Sequence, residues 1–422
     1  MGPLPYPLPC QSNKESDSQQ SQPTRLQSDS LSSTSPLSFL PSLSTAPSIG
    51  QSFHNDHQPS AATNHRCTSI LGGHCSHVFS IALALAGKHL FRASSNGEIS
   101  VWGRDPPSID TYDDNVVVTG HSAVKSMVVL GDKLFTGHQD HKIRVWKIDH
   151  GAPQERYKCV AKLPTLADRF ARLFSSANYV EVRRHKKCTW VHHVDAVSEL
   201  AVSGDGSLLY SASWDRSFKV WRTSDFKCLQ SIDKAHDDAI NALALSPDGY
   251  IYTGSADKKI KVWKNHPEEK KHKLIATLEK HMSAVNALSL SADGSVLYSG
   301  ACDRSIIVWE RDVAGEMVVV DALRGHHKAI LCLAVVGEVV CSGSADKMVR
   351  VWKRGDGGSY CCLAVLEHGG AVKCLAATFD GFGGSRISGS GSGTSCVVYS
   401  GGLYCGSKIW QVNLDSLETD SL

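Results

Sequence analysis

Serine or threonine, histidine and aspartate recur at fixed spacing along this chain of 422 residues. In the stretch YTGSADKKIKVW, Thr253 stands four residues before Asp257, and His236 lies upstream of both. These residue types form a hydrolase triad when the histidine activates the hydroxyl and the carboxylate orients the histidine. A nucleophilic hydroxyl needs exposure, an adjacent oxyanion hole and a single occurrence. The question is therefore how often the pattern occurs.

The pattern returns with seven tryptophans, which are separated by 44, 75, 42, 46, 43 and 58 residues. Periods of about 40–45 residues are typical of β-propeller blades of four strands. A hydroxyl residue stands ten residues before the tryptophan in six of the seven repeats. Five repeats have complete sets: His121, Thr136, Asp140, Trp146; His193, Ser211, Asp215, Trp221; His236, Thr253, Asp257, Trp263; His281, Ser299, Asp303, Trp309; and His326, Ser342, Asp346, Trp352. This repetition favours a structural role and predicts that the chain is not an enzyme.

A hairpin geometry explains the spacing. If the aspartate lies in a turn, a constant strand register puts the hydroxyl directly across from the tryptophan. The hydroxyl can then accept from the indole N–H and donate to histidine, whose other nitrogen meets the aspartate. Such a tetrad fastens each hairpin to the loop before it.

The Gly-His, Ser-Gly-x-x-Asp and terminal Trp pattern resembles WD-repeat β-propellers between His74 and Trp410. The resemblance implies an all-β fold of seven blades, each with four antiparallel strands, around a central channel. It also implies that Arg66–Leu71 completes the last blade, which would remove the free sheet edges. We therefore predict a seven-bladed propeller over residues 66–413 and structural tetrads within it.

Two repeats depart from the pattern. The first has Arg92 and Asn96 in place of the hydroxyl and the aspartate, and the last has Tyr404 at the aspartate position. A Gly/Ser-rich insertion at about 380–396 also lengthens the last repeat. We expect the two blades at the closure to be the least rigid.

The terminal segments have a different composition. Residues 1–65 contain 15 serines and 9 prolines, which predicts a disordered tail. This tail is either inert or regulatory, with Ser28 and Ser35 as candidate kinase sites. Residues 414–422 form an acidic tail.

Composition excludes several classes of function. The formal net charge of +2 does not favour direct binding to nucleic acid or to membranes. The fourteen cysteines are scattered without a C-x-x-C pair, so no metal or cofactor is predicted. No long apolar run or secretion signal is evident, and the protein is expected in the cytoplasm and the nucleus.

An insertion at about 164–191 separates the second and third repeats. Its stretch PTLADRFARLF predicts a short amphipathic helix on the rim, with Leu166, Phe170, Leu173 and Phe174 on one face. The following residues predict a hairpin with a basic tip at Arg183, Arg184, His185, Lys186 and Lys187. Three interpretations stay open for this tip: a solvated turn, a nuclear-import signal, or a contact for an anion or RNA.

The segments LPTLADRF, NYVEVRRHKK and TWVHHVDAVSELAV resemble the insertion of plant WD-repeat proteins of the Jingubang type. That resemblance implies a regulatory, non-catalytic protein of plant development, including restraint of pollen germination, with transcription factors among its partners. The alternative is a substrate receptor of a cullin-type ubiquitin ligase. Such receptors usually close a blade with W-D-x-R, whereas aspartate never follows the seven repeat tryptophans here.

Strand alternation predicts which side chains surround the channel mouth. One position per repeat is expected there: Phe79, Lys125, Ser198, Asn241, Asn286, Leu331 and Lys373. No acidic or histidine cluster occurs in this ring, which disfavours a propeller enzyme. The residue before each turn aspartate should lie on the same face, among them Trp214. Trp214 is either an exposed binding hot spot or packed flat on the neighbouring blade. The candidate partner site is Phe79, Arg92, Lys125, Trp214 and Lys373, and it suits an acidic or phosphorylated protein segment.

Overall fold

A computed structural model describes most of the chain beyond the N-terminal segment. The described residues are 65–72, 76–84, 89–103, 116–149, 156–170, 179–183, 186–266, 271–355, 357–380, 395–403 and 406–414. Residues 1–64 and 415–422 of the predicted tails, the Gly/Ser-rich residues 381–394, and the positions His74 and Tyr404 lie outside them.

Seven antiparallel sheets of four strands, the blades, make up the described part of the chain. The first strand and blades 1 and 2 comprise β1 (His65–Leu71), β2 (Val78–Ala84), β3 (His89–Ser94), β4 (Ile99–Gly103), β5 (Val116–Val118), β6 (Val124–Leu130), β7 (Lys133–His138), β8 (Ile143–Asp149) and β9 (Arg156–Leu163). The insertion and blade 3 follow as α1 (Leu166–Phe170), β10 (Tyr179–Arg183), β11 (Lys186–Thr189), β12 (Val197–Val202), β13 (Leu208–Ser213), β14 (Phe218–Arg222) and β15 (Cys228–Ile232).

The second half of the chain repeats the same unit. Blades 4 and 5 are β16 (Ile240–Leu245), β17 (Tyr250–Ser255), β18 (Lys259–His266), β19 (Lys271–Glu279), β20 (Val285–Leu290), β21 (Val296–Ala301), β22 (Ile306–Arg311) and β23 (Met317–Leu323). Blades 6 and 7 are β24 (Ile330–Val336), β25 (Val339–Ser344), β26 (Met348–Arg354), β27 (Tyr360–Glu367), β28 (Val372–Phe379), β29 (Ser395–Gly402) and β30 (Ser407–Asn413), with β1 as the fourth strand of blade 7.

Closure joins the two ends of the described chain. Strand β1 pairs antiparallel with β30, so Arg66 lies opposite Gln411 and Leu71 opposite Ser407. The first strands of successive blades contact one another, and those of blades 7 and 1 complete the circuit. The predicted closure is therefore present, because β1 covers the outer edge of β30 and completes blade 7.

Apolar side chains from adjacent blades form the core. In the cluster between blades 4 and 5, Val285 and Leu297 pack against Tyr252 and Trp309. Close approach of the blades depends on small residues at the interface. A Cβ added to Gly254 would lie 2.8 Å from Cγ1 of Val285, so a larger residue would push the two blades apart.

Each blade has an irregularity in its first strand. The register of β12 shifts between Val197 and Glu199 against β13, and all six other first strands shift at the equivalent place. A bulge of this kind places two residues of one strand opposite one residue of its partner and re-aims side chains. Successive residues can therefore face the channel.

The insertion begins with a helix where the sequence predicts one. Its described residues are Leu166–Phe170, in which Leu166 and Phe170 are 68% and 61% exposed. Leu173 and Phe174 lie outside the described residues. The buried side chain is Asp168, whose carboxylate accepts a hydrogen bond from the Cys228 amide at 3.0 Å. This polar contact joins the described part of the helix to blade 3.

Strands β10 and β11 pair antiparallel as a two-stranded hairpin, with Arg183 opposite Lys186. Its backbone therefore follows the predicted hairpin. No helix among the described residues is long and apolar enough to span a membrane.

Candidate functional site

Four blades contain the full hydrogen-bonded tetrad. In blade 4, Trp263 Nε1 donates to Thr253 Oγ1 at 2.9 Å, and this hydroxyl contacts His236 Nε2 at 2.8 Å. His236 Nδ1 then contacts Asp257 Oδ2 at 2.8 Å. Blades 3, 5 and 6 repeat these contacts through His193, Ser211, Asp215, Trp221; His281, Ser299, Asp303, Trp309; and His326, Ser342, Asp346, Trp352.

The strand register corrects one detail of the predicted tetrad. Thr253 lies opposite Lys261 and not opposite Trp263, which instead pairs with Ile251. The hydroxyl and the indole are diagonal neighbours, a separation that a long aromatic side chain can bridge. The side chains still meet because the indole leans along the strand.

Burial and hydrogen bonding make the tetrad a clamp. Thr253 and His236 are almost completely buried. Burial disfavours the charged form of Asp257, but the hydrogen bond from His236 outweighs it and holds the pKa of Asp257 at about 2. The hydroxyl contacts an indole and an imidazole, which leaves no space beside it for an incoming carbonyl group. The geometry supports fastening of the hairpin and not nucleophilic attack.

Blade 2 replaces the predicted histidine. His121 is exposed, and Thr136 Oγ1 instead contacts His138 Nε2 at 2.8 Å while accepting from Trp146 Nε1 at 3.0 Å. Asp140 binds Arg144 through both carboxylate oxygens, so it does not complete a tetrad. The loop before this hairpin is one residue short, and a histidine on the strand itself takes the vacant place.

Blade 1 overturns the prediction for Arg92. Its side chain is 1% exposed and stacks on Trp102, with 4.5 Å between the guanidinium carbon and the ring centroid. The guanidinium donates to the carbonyl oxygens of Leu71 and Gly72, both at 3.1 Å. Arg92 therefore occupies the tetrad position, where it ties the closing strand to blade 1. It does not belong to the channel mouth.

Blade 7 retains only part of the tetrad. Trp410 Nε1 donates to Ser400 Oγ at 3.0 Å, but His368 contacts the Ser400 carbonyl oxygen at 3.3 Å and not its hydroxyl. Blades 7, 1 and 2 thus form a seam half with irregular clamps, and blades 3 to 6 form a regular half.

The ring of predicted channel residues surrounds one cavity. All seven positions line a central cavity of about 250 Å³: Phe79, Lys125, Ser198, Asn241, Asn286, Leu331 and Lys373. Three of them connect neighbouring blades. Ser198 donates to the Ile240 carbonyl oxygen at 2.6 Å, Asn241 to that of Val285 at 3.0 Å, and Asn286 to that of Ile330 at 2.8 Å. These contacts are called the blade latches below.

The opposite side of the cavity is cationic and aromatic. Lys125 Nζ lies 4.1 Å from the ring centroid of Phe79 and 5.3 Å from that of Trp214. Burial and then repulsion from Lys373 lower the pKa of Lys125 to about 8, so the amine stays mostly protonated at neutral pH. Half-buried Trp214 is a wall for the ammonium group. We call Phe79, Lys125, Trp214 and Lys373 the channel site.

The two lysines of the channel site, half-buried Lys125 and exposed Lys373, differ from four other lysines of the propeller. Among the described residues, neither Lys125 nor Lys373 has a hydrogen-bond acceptor or a carboxylate within ion-pairing distance. Elsewhere, lysine ammonium groups donate to backbone carbonyl oxygens: Lys219 to Trp190, Lys261 to Ala235, Lys353 to Leu414 and Lys408 to Glu367. The ammonium groups of those four lysines have hydrogen-bond acceptors within the fold. Those of Lys125 and Lys373 are available to a partner.

The cavity also contains an acidic residue that the repeat pattern did not predict. Glu199 follows ring residue Ser198, and both line the channel because of the bulge in β12. Its carboxylate accepts from Ser126 Oγ at 2.6 Å, and burial raises its pKa to about 7. Glu199 is therefore partly protonated near neutral pH and does not cancel both lysine charges. The bulge recurs in every blade. A prediction that included this bulge would have placed Glu199 in the channel.

The basic tip and the Trp214-Asp215-Arg216 segment are the other predicted candidates. In the basic tip, Arg184 and His185 are outside the described residues, and for Arg183, Lys186 and Lys187 the structure describes the backbone alone. The Trp214-Asp215-Arg216 segment lies in the turn between β13 and β14, where Asp215 binds His193. It is not a blade-closing W-D-x-R motif. The described residues contain no group of three or more potential metal ligands.

Comparison with known proteins identifies the repeat. The family described as WD domain, G-beta repeat matches residues 185–222, 226–264, 272–310 and 317–353. The protein ROOT INITIATION DEFECTIVE 3 of Arabidopsis thaliana is 28% identical over 233 residues, which are 53% of this chain and 46% of that protein. Small ribosomal subunit protein RACK1 of Drosophila melanogaster is 30% identical over 152 residues, 35% of this chain and 46% of that protein. The chain thus spans about half the length of the curated relatives it matches.

WD40 propellers are generally scaffolds for protein interactions and usually lack catalytic activity. The four matched repeats correspond to blades 3 to 6, the regular half, and the other three sheets share their strand order and their terminal tryptophan. The described part of the chain folds as a seven-bladed β-propeller, and its blades 3 to 6 match the WD domain, G-beta repeat.

Proposed function

We propose that this protein is a non-enzymatic scaffold that binds an acidic or phosphorylated segment of a partner protein at the channel site. The observation that carries the proposal is the pair of lysines without acceptors, Lys125 and Lys373, which face one cavity. A partner anion would supply counter-charge beyond that of Glu199, which is partly protonated near neutral pH. Charge-assisted hydrogen bonds to ammonium groups are stronger than neutral ones, particularly in a partly desolvated site.

The aromatic walls fit this partner. Phe79 and Trp214 flank the Lys125 ammonium group and hold it by cation–π attraction. They limit the positions of the amine before the partner arrives, which reduces the entropic cost of binding. Half-buried aromatic residues beside a cation also offer apolar contact to the residues next to the anion.

A phosphate group suits the charge of the cavity better than one carboxylate. Two ammonium groups match the charge of about −1.5 to −2 that a phosphorylated residue carries at neutral pH. Protonated Glu199 could donate a hydrogen bond to a phosphate oxygen, whereas its ionised form would repel the ligand. The proposed ligand is therefore a phosphorylated segment first and an unmodified acidic segment second.

We further propose a regulatory role in plant development, such as restraint of pollen germination, with transcription factors among the partners. The resemblance of the insertion segments to Jingubang-type proteins supports this role. A similar Arabidopsis protein bears the name ROOT INITIATION DEFECTIVE 3, which is consistent with a developmental setting. Such partners would place the protein in both the cytoplasm and the nucleus.

A charge reversal tests the channel site. The Lys125→Glu/Lys373→Glu variant should bind a phosphoserine peptide library at least about 100-fold more weakly, since each lost charge contact accounts for about tenfold. The control, Lys227→Glu/Lys280→Glu, makes the same change in net charge at two exposed positions away from the cavity. Circular dichroism checks that both variants fold.

Purification from native tissue extends the test to real partners. Mass spectrometry should find that the channel-site variant, with Trp214→Ala added, loses proteins that the control retains. An unchanged partner set, together with unchanged peptide affinity, would show that the channel site is not the binding face.

A further inference from the structure

A second cavity lies beside the insertion between blades 2 and 3. It is a groove of about 530 Å³ formed by β9, the residues that lead into α1, and the loop at His192. Blades without an insertion lack the elements that form one of its walls. We call this cavity the insertion groove.

Part of the lining of the insertion groove is apolar. Val160 and Leu166 line it and are 45% and 68% exposed, and the buried Leu163 lines it as well. Pro164 lies between the strand and the helix. Apolar side chains this exposed gain free energy when a partner covers them.

The border of the insertion groove is basic. Lys142, Lys162 and Arg169 line it, and no carboxylate of the described residues does. The half-buried imidazole of His192 also lines the groove; burial and then the positive charge of Arg169 lower its pKa to about 4. His192 is therefore neutral at physiological pH, and the three basic side chains determine the charge.

The walls of the insertion groove are fixed in place. Thr165 Oγ1 accepts from the Asp168 amide at 3.1 Å at the start of α1. The Asp168 carboxylate accepts from the Cys228 amide of blade 3, which holds the helix against the propeller. A preformed groove loses little conformational entropy when a ligand binds.

We propose that the insertion groove binds an acidic peptide segment of a partner protein, with one or two apolar side chains between its carboxylates. The apolar residues would cover Val160 and Leu166, and the carboxylates would pair with Lys162 and Arg169. Complementary charge would select this segment over neutral apolar ones. The groove and the channel site are separate, so either can fail without the other.

A native thiol allows a direct test. Cys159 is a half-buried free cysteine that lines the groove. The full-length protein is equilibrated, under partially reducing conditions, with two pools of short synthetic peptides that each carry one cysteine. One pool combines Asp and Glu with Leu, Val and Phe, and the other replaces the acidic residues with Ser and Gln. Mass spectrometry measures the disulfide formed at Cys159, with exposed Cys67 and Cys362 as internal references.

Acidic peptides should occupy Cys159 about tenfold more than neutral peptides, corresponding to roughly 1.4 kcal/mol. The preference should disappear in Lys162→Glu/Arg169→Glu and persist in the Lys227→Glu/Lys280→Glu control. Equal occupancy by both pools, or an acidic preference that survives the groove reversal, would overturn the proposal. A Cys159 that reacts with neither pool would also overturn it, because the groove would then be closed to a partner.

Discussion

The regular half and the seam half use the same repeat positions differently. In blades 3 to 6, each tetrad position holds its expected residue and forms its expected side-chain contact. In blades 7, 1 and 2, the clamp is rebuilt with a carbonyl contact, with Arg92 or with His138. Where a different contact holds the hairpin, the side chains of the blade do not have to follow the repeat pattern. They can then be used to bind a partner.

The channel repeats this division. Latch residues Ser198, Asn241 and Asn286 of the regular half are committed to the next blade. The equivalent seam positions hold Lys373, Phe79 and Lys125, which form no such latch. The unpaired cations therefore lie where the propeller departs from its own pattern, as is common for functional sites.

The largest expected effect is on the free energy of unfolding. It distinguishes the tetrads of the regular half from the irregular contacts of the seam half. His236→Ala removes contacts to both Thr253 and Asp257 and should lower the free energy of unfolding by about 3 kcal/mol. His368→Ala removes the longer 3.3 Å contact to the Ser400 carbonyl oxygen and should cost about 1 kcal/mol. Urea denaturation of the purified variants measures both values. Equal losses would mean that the clamps of the two halves are equivalent.

A smaller effect is expected on the affinity of the channel site for a phosphopeptide, through the charge of Glu199. Ionisation of Glu199 adds a negative charge to the cavity, so affinity for a phosphopeptide should fall several-fold, on the order of 1 kcal/mol, as pH rises through about 7. In Glu199→Gln, affinity should stay level until Lys125 loses its proton near pH 8. Calorimetric titrations from pH 6.5 to 8.5 would measure the two profiles.

Glu199 should also make the free energy of unfolding depend on pH, and its raised pKa determines the direction. Because the folded pKa of Glu199 lies above its ordinary value of 4.5, the folded state holds an extra proton between these values. The stability of the wild type relative to Glu199→Gln should therefore fall as pH rises from 4.5 to 7. Identical pH profiles of the two proteins, in binding and in unfolding, would remove Glu199 from the site.

The smallest expected effect comes from introducing a blade latch into blade 6. Blade 6 has apolar Leu331 at the latch position, next to Cys332, whose thiol contacts the Val372 carbonyl oxygen at 3.6 Å. Leu331→Asn should add a donor to that carbonyl and stabilise the protein by about 0.5 kcal/mol relative to Leu331→Ala. Thermal unfolding compares the two variants. An Asn variant no more stable than the Ala variant would show that the latch depends on more than residue type.

Spacing made the regular half predictable from sequence. Hairpins of constant length keep the histidine, the hydroxyl, the aspartate and the tryptophan in step, so counting from Trp263 locates Asp257 and Thr253. Alternation along the first strands located the seven channel residues, because each strand meets the channel at the same point. In these blades the hairpin length, the repeat spacing and the strand alternation all indicate the same arrangement. The sequence pattern is therefore sufficient to predict it.

The seam half could not be predicted by counting. His121 precedes β6 and His138 ends β7, so both lie at the same end of blade 2, and only the length of the loop decides which one reaches Thr136. Arg92 was assigned to the channel mouth by its charge, but stacking on Trp102 holds it in the interior. Glu199 was missed because strict alternation turns it away from the channel, whereas the bulge turns it back.

Pairing of β1 with β30 has a consequence for biosynthesis. A ribosome must translate the chain as far as Gln411 before this residue can meet Arg66. Lys373 and Phe79 stand on opposite sides of this junction, so they are brought together only after it forms. A chain whose synthesis has stopped before the last blade would contain Lys125 and Trp214 yet could not assemble the complete channel site. Binding of a partner there would therefore require that the last blade had been synthesised.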